Sequence, residues 1–140
     1  MPIPDFAARF LASTPDGVLF ADTTGVIRFW NAGCERIFGY AAGDAVGQSL
    51  DIIIPEALRT RHWQGYANTV RTGQSRYAAG DVLAVPAVRK DGSRISVEFS
   101  IVPFCDAENR LIGMGAVMRD VSKRFEETKA LRKALASAQS

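Results

Sequence analysis

Histidine and cysteine are scarce in this chain, and their scarcity limits the chemistry that it can perform. The sequence contains one histidine, His62, and two cysteines, Cys34 and Cys105, which lie far apart and lack the spacing of a metal site. A single histidine without a nearby serine or cysteine motif gives no support for a hydrolytic triad. Two isolated cysteines in a cytoplasmic protein are most simply reduced, buried thiols. We therefore expect a protein that is not an enzyme.

Long apolar runs and a strong net charge are also missing. No apolar run approaches the ~18–20 residues that span a bilayer. The first ten residues, "MPIPDFAARF", lack the basic and apolar segments of a signal peptide. Seventeen basic and fifteen acidic side chains give a net charge of +2, and the two signs are interleaved. We expect a cytoplasmic domain that binds neither nucleic acid nor a membrane.

The sequence does contain the composition and the periodicities of one α+β domain. In its 140 residues, 47% are hydrophobic and 23% charged, which is typical of a chain with a proper core. The first half predicts an amphipathic helix over 3–13, a β-hairpin that turns at Gly25, and a helix capped by Asn31 and ended by Gly39. Short helical pieces then lead to Pro55.

The second half predicts a helix, three antiparallel strands and a final helix. The helix runs from Glu56 to about Arg71, and the strand-like stretches cover 76–89, 93–104 and 110–121. In the middle strand Ile95, Val97, Phe99 and Ile101 face one way, and Ser96, Glu98 and Ser100 face the other. The element order favours one sheet with the helices gathered largely on one face.

Four segments together resemble a PAS domain. They are "PDGVLFADTTGVIRFWNAGCERIFGY", "GDAVGQSLDIIIPE", "RKDGSRISVEFSIVPF" and "GMGAVMRDVSKR", in the order and spacing of that family. The resemblance implies a five-stranded antiparallel sheet, a pocket between this sheet and the helix that carries His62, and a role in sensing or protein interaction. It divides the chain into an N-terminal helix (1–13), a PAS core (14–119) and a C-terminal signalling or coiled-coil helix (120–140). Ser122 stands where the family usually has a threonine.

His62 is the candidate ligand-binding residue. Leu58, His62, Tyr66 and Val70 follow one another by four, so they share one apolar stripe of a helix and should point toward the sheet. An inward imidazole can bind a metal through its neutral nitrogen. It can equally be a structural histidine that bonds to a backbone carbonyl or lies at the edge of the core.

The stretch "PEALRTRH" resembles haem-PAS oxygen sensors of the FixL type, in which the matching histidine holds the iron. The resemblance implies haem b bound through His62, in a pocket formed with Tyr66, Leu83, Ile95, Val97 and Phe99. Three features depart from those sensors. Leu83 replaces an arginine that hydrogen-bonds oxygen, Asp81 falls near the position of a methionine ligand in one subfamily, and one extra residue lies between His62 and Gly80.

Two other hypotheses about the occupant of the pocket stay open. A cofactor-free interaction domain would hold a small apolar metabolite or nothing, with His62 as a structural residue. Flavin is less favoured, because neither cysteine has the context of a flavin photoreceptor, although Trp30, Asn31 and Trp63 could line a ring pocket.

The terminal helices predict a homodimer. Phe6 and Phe10 in the N-terminal helix, and Phe125 and Leu131 in the C-terminal one, would leave exposed apolar surface if both helices were solvated. We expect these helices to pair two copies. The residues given contain no kinase, cyclase or DNA-binding segment, so we expect the output either in a signalling partner in trans or beyond the residues given.

Overall fold

The computed structural model describes residues 3–73 and 82–139. In chain order the elements are α1 (Phe6–Ser13), β1 (Gly17–Asp22), β2 (Ile27–Trp30), α2 (Ala32–Phe38), α3 (Ala42–Ala45), 3-10 turns at Leu50–Ile53 and Glu56–Leu58, α4 (Arg59–Thr72), β3 (Leu83–Val88), β4 (Arg94–Cys105), β5 (Leu111–Asp120) and α5 (Ser122–Gln139). None of these helices is long and apolar enough to cross a membrane. Gly80 and Asp81 lie outside the described residues.

The five strands form one antiparallel sheet in the order β2-β1-β5-β4-β3, which confirms the predicted fold class. Helix α1 precedes the strands and helix α5 follows them, and the last strand, β5, lies in the centre of the sheet. β3 is an edge strand, and this position explains why it tolerates Pro86, which has no amide hydrogen to give to a neighbouring strand.

The two faces of the sheet differ. One face, called here the inner face, carries Leu19, Ala21, Val97, Ala116 and Met118, which belong to the hydrophobic core. The alternation predicted for β4 is present: Ile95 and Val97 are buried on this face, and Phe99 and Ile101 pack against the core from it. The opposite, outer face of the sheet carries the residues that alternate with these.

Asn31 joins three parts of the fold. Its side-chain oxygen accepts hydrogen bonds from the backbone amides of Cys34 (3.0 Å) and Val18 (2.8 Å). Its side-chain nitrogen donates to the carbonyls of Leu11 (2.7 Å) and Asp16 (3.0 Å). The predicted helix cap is therefore confirmed, and the same buried amide also fastens β1 and the end of α1.

The sequence-based expectations need three corrections. Cys105 is exposed, because it lies at the end of β4 where the strand leaves the core, whereas Cys34 is buried as predicted. Burial raises the pKa of the Cys34 thiol to about 12. The helix expected over 3–13 begins only at Phe6, and the helix expected from Glu56 starts with a 3-10 turn before α4.

Replacing Gly33 by alanine should destabilise the fold, although alanine is the better helix former. A Cβ atom at Gly33 in α2 would clash with the carbonyl of Asp16 and lie 2.8 Å from that of Pro15. Because these are backbone atoms, relief requires the start of β1 to move, at a cost of about 1–3 kcal/mol. Gly43→Ala is the matched control, since nothing lies within 4 Å of a Cβ there. Urea denaturation of both variants checks the prediction, and equal stabilities would contradict it.

Candidate ligand pocket

An apolar cavity lies between α4 and the inner face of the sheet. Its volume is about 130 Å³. The lining comes from β1, β3, β4 and β5, together with residues of α2, the first 3-10 turn and α4. The lining residues are Leu19, Ala21, Phe38, Leu50, Ile53, Ile54, His62, Tyr66, Val85, Pro86, Ala87, Val97, Phe99, Ile101, Met114, Gly115, Ala116 and Met118. Among the lining residues that the structure describes, only His62 and Tyr66 bring polar side-chain groups to it.

Four of the six predicted site residues line this cavity, namely His62, Tyr66, Val97 and Phe99. The other two do not. Leu83 is half-buried at the beginning of β3, opposite Phe99 on β4. Ile95 is buried on the inner face but pairs with Ala87 farther along the strand. Both residues flank the cavity on the same face of the sheet without forming its wall.

The sequence analysis assigned no residue of β5 to the ligand site. Met114, Ala116 and Met118 alternate with Gly113, Gly115 and exposed Val117, so they form a buried row in the central strand. This alternation with a period of two is visible in the sequence. These three side chains carry no group that would bind a metal or donate a hydrogen bond, however, so the pattern did not indicate a ligand site.

The imidazole of His62 lies at the wall of the cavity. The Nδ1 atom is buried and has no hydrogen-bond partner in the part of the chain that the structure describes. The ring lies between Trp63, at a centroid distance of 4.6 Å, and Tyr66, at 5.7 Å. Burial lowers the pKa of His62 below its ordinary value of 6.5, although the charge of Asp51 acts in the opposite direction. The imidazole is therefore neutral near pH 7 and keeps a free lone pair.

Two neighbours of His62 fix α4 on the β1–β2 hairpin. The indole nitrogen of Trp63 donates to Asp51 at 2.7 Å, and the ring covers Gly25, where any Cβ would clash with it. The hydroxyl of Tyr66 donates to the backbone carbonyl of Asp22, and burial raises the pKa of Tyr66 to about 12. These contacts fix the position of α4 relative to the hairpin, and so they keep His62 at the cavity.

Comparison with known proteins assigns this arrangement to a family. The family model described as the PAS fold matches residues 11–126. The chain belongs to the PAS family. Among solved structures, the PAS domain of a protein from Colwellia psychrerythraea has a TM-score of 0.74 at 21% identity, and the match covers 87% of this chain and 99% of that one.

Two curated relatives of this PAS domain are sensor proteins. Sensor protein FixL of Bradyrhizobium diazoefficiens is 32% identical over 91 residues, which is 65% of this chain and 18% of FixL. Oxygen sensor protein DosP of Escherichia coli is 26% identical over 116 residues, which is 83% of this chain and 14% of DosP. The PAS domain thus matches less than a fifth of the length of either relative.

The donor chemistry of the pocket fits haem, but its volume in this structure does not reach that of a porphyrin site. A neutral imidazole is one of the ligands that haem iron takes, and the Nδ1 atom of His62 has no hydrogen-bond partner among the described residues. Pockets for drug-sized ligands occupy ~300–1,000 Å³, whereas this cavity has about 130 Å³. A porphyrin would therefore need a larger cavity than the one that the described residues enclose.

The PAS domain should lose stability below pH 6.5 because of His62. The unfolded chain takes up a proton near pH 6.5, whereas the folded state resists it because burial lowers the pKa of His62. The unfolded state then binds more protons, so stability falls as the pH drops from 6.5 through the lower native pKa. Above pH 6.5 the residue is neutral in both states and contributes no pH dependence.

Urea denaturation at pH 7.5 and pH 5 measures this contribution. The loss of stability between the two pH values should be smaller in His62→Gln, which keeps a neutral polar side chain, than in the wild type. Equal losses in the two proteins would contradict the prediction and would show that carboxylates alone set the pH dependence.

Proposed function

We propose that this PAS domain is a sensory module that binds haem b through His62 and reports on a gas or on redox state. The observation that carries the proposal is the neutral imidazole, buried at Nδ1 and without a hydrogen-bond partner among the described residues, on the wall of an apolar cavity. Leaving a buried polar atom unpaired is costly, and the cost is removed when the group binds a ligand. The similarity to two sensor proteins supports the same role.

Bound haem would supply an iron centre that can take up a diatomic gas or change its oxidation state. His62 would hold the iron, and the apolar residues Val97, Phe99 and Ile101 of β4 would contact the macrocycle. Leu83 is the first residue of β3 and flanks the cavity. Its side chain is apolar and offers no hydrogen-bond donor to a bound gas. An apolar environment of this kind favours CO or NO over oxygen, which needs a donor to stabilise it.

The signal would leave the pocket through β4. The hydroxyl of Ser122, the first residue of α5, accepts a hydrogen bond at 2.9 Å from the amide of Ser96 and donates one to Asp120. The amide of Val121 donates to the carbonyl of Ser96. Since Ser96 neighbours Val97 of the pocket wall, a ligand that displaces β4 changes the position at which α5 starts. Coupling of this kind acts equally in both directions, and a partner protein in trans or a second copy would receive it through α5.

The volume of the cavity favours a second candidate function. A cavity of ~150 Å³ lined by aliphatic and aromatic side chains is known to bind a benzene-sized molecule, and this one has about 130 Å³. In this alternative the domain is a cofactor-free interaction module that responds to a small apolar metabolite, and His62 has a structural role.

Titration of the purified protein with haem separates the two candidates. Haem binding through the pocket predicts a sharp Soret band that saturates at one equivalent. A weak, broad band that keeps growing with added haem would overturn the proposal.

The second candidate predicts instead that benzene raises the thermal midpoint of unfolding, because a ligand that binds only the folded state stabilises it. Ala116→Leu fills the cavity from β5 and should abolish that benzene effect.

A further inference from the structure

A groove lies between α5 and the outer face of β3 and β4. Its volume is about 460 Å³, which is within the ~300–1,000 Å³ of pockets that take drug-sized ligands. On the sheet it is lined by Ala84 and Glu98, register partners that alternate with the pocket residues Val85 and Val97. None of the residues that line the groove lines the ligand pocket. The groove is therefore a separate site on the other face of the sheet.

The helical wall of the groove is basic. Arg124, Thr128 and Arg132 follow one another by four, so they share one stripe of α5, and Lys129 lies beside this stripe. The two glutamates of α5 are not among the residues that line the groove. The helix therefore presents only positive charges to it.

A single carboxylate offsets part of this charge. Glu98 is the only acidic residue among the described lining residues, and it forms an ion pair with Arg124. Lys129 and Arg132 have no ion-pair partner in the part of the chain that the structure describes. They are three residues apart, so they are neighbours on the helix surface and repel each other. An anion bound between them removes this repulsion.

The remaining lining of the groove is apolar. Ala84 and Val121 bring only apolar side chains, and the aliphatic stems of lysine and arginine cover apolar surface while their charged ends stay in water. Such a groove fits a peptide that lays one apolar side chain on this lining and pairs carboxylates with the free cations. A nucleic acid fits less well, because proteins bind it through ~6–10 phosphate contacts, and the groove has far fewer free cations.

We infer that this groove binds a short acidic segment of a partner protein, whose carboxylates pair with Lys129 and Arg132. The planar guanidinium of Arg132 can hold a carboxylate through two parallel hydrogen bonds. An occupant would also fix α5 against β4 close to the Ser96–Ser122 hydrogen bond at the start of the helix. The inference goes beyond the proposed function, because it rests on an external groove and holds whatever occupies the pocket.

Fluorescence polarisation of a labelled synthetic peptide, with glutamates on both sides of one leucine, tests the inference. The peptide should bind the wild-type protein saturably, and the affinity should fall as salt is added, because exposed ion pairs are screened. Lys129→Glu/Arg132→Glu should weaken binding by at least about tenfold, since each reversal replaces an attraction by a repulsion. The assay contains no haem, so its failure would not bear on the ligand pocket.

Two variants and one altered peptide serve as controls. Lys123→Glu/Lys133→Glu makes the same change of charge on the same helix, but neither lysine lines the groove, so its affinity should stay within about threefold of the wild type. Glu98→Gln should bind the peptide more tightly, because it removes the carboxylate that repels the peptide and occupies Arg124. A peptide with glutamine in place of glutamate should not bind. Far-ultraviolet circular dichroism verifies that each variant is folded.

Four results would overturn the inference. The first is a wild type that shows no saturable binding, and the second is equal weakening by the two double variants, which would reflect net charge alone. The third is an oligonucleotide of the same charge that binds the wild type as tightly as the peptide, because the groove would then be a general anion surface. The fourth is a dimer, seen by light scattering, that only Lys129→Glu/Arg132→Glu dissociates, because a second copy would then fill the groove.

Discussion

Asn31→Ala is expected to lower the free energy of unfolding by about 3–5 kcal/mol, which is a large part of the stability of a domain of this size. The substitution removes four hydrogen bonds at once. It leaves the amides of Val18 and Cys34 without their acceptor and the carbonyls of Leu11 and Asp16 without their donor. Each buried group left unpaired costs ~1–3 kcal/mol. The helix cap accounts for only about 1 kcal/mol of the effect.

Two further variants make this prediction specific. Asn31→Asp keeps the acceptor for both amides but loses both donors, so its stability should lie between those of the wild type and Asn31→Ala. Asn68→Ala removes an exposed asparagine that bonds to Arg71 on α4, and its effect should stay within ~0.5 kcal/mol. Urea denaturation with unchanged m values gives the comparison. Similar losses in Asn31→Ala and Asn68→Ala would show that the Asn31 junction does not stabilise the fold.

His62→Ala is expected to weaken haem binding by more than ~100-fold, because changes to groups that merely support a metal ligand already cost 10–100-fold. The chain has no second histidine that could replace it. Free imidazole added to the variant should restore part of the Soret band, since the truncated side chain leaves room for it beside Trp63 and Tyr66. Recovery by imidazole is a result that a merely structural role of His62 would not produce.

The control for His62→Ala is Gln64→Ala, an exposed position two residues along the same helix. It should bind haem like the wild type, which separates the loss of a ligand from a general weakening of α4. A titration in which wild type, His62→Ala and Gln64→Ala all give the same band would show that haem adheres elsewhere on the protein.

The sequence predicted those parts of the fold and the pocket that depend on local patterns. The period of two in β4 placed Val97 and Phe99 on the inner face, and the spacing of four in α4 placed His62 and Tyr66 on one stripe. The cap at Asn31 was visible for the same reason. What could not be predicted depends on register between strands, and this explains why Leu83 and Ile95 lie on the correct face but beside the cavity.

The apolar part of the outer sheet face could not be predicted from local sequence patterns. Ser96, Glu98 and Ser100 indicate a solvated face, yet the same face of β4 becomes apolar at Val102 and Phe104. Whether those two side chains form a surface depends on Phe20, more than eighty residues away along the chain, and on glycines of a third strand. Only the sheet order brings these residues together.

The central claim, that the imidazole of His62 is the group that binds the ligand, is tested most directly by nuclear magnetic resonance of its ring. Because the chain has one histidine, its ring signals need no assignment. In the free protein they should titrate with a midpoint below 6.5, since burial lowers the pKa of His62. After one equivalent of haem, reduced and saturated with CO, the same signals should be displaced by the porphyrin ring current and stop responding to pH. Ring signals that keep their positions and their titration in the presence of haem would contradict the account.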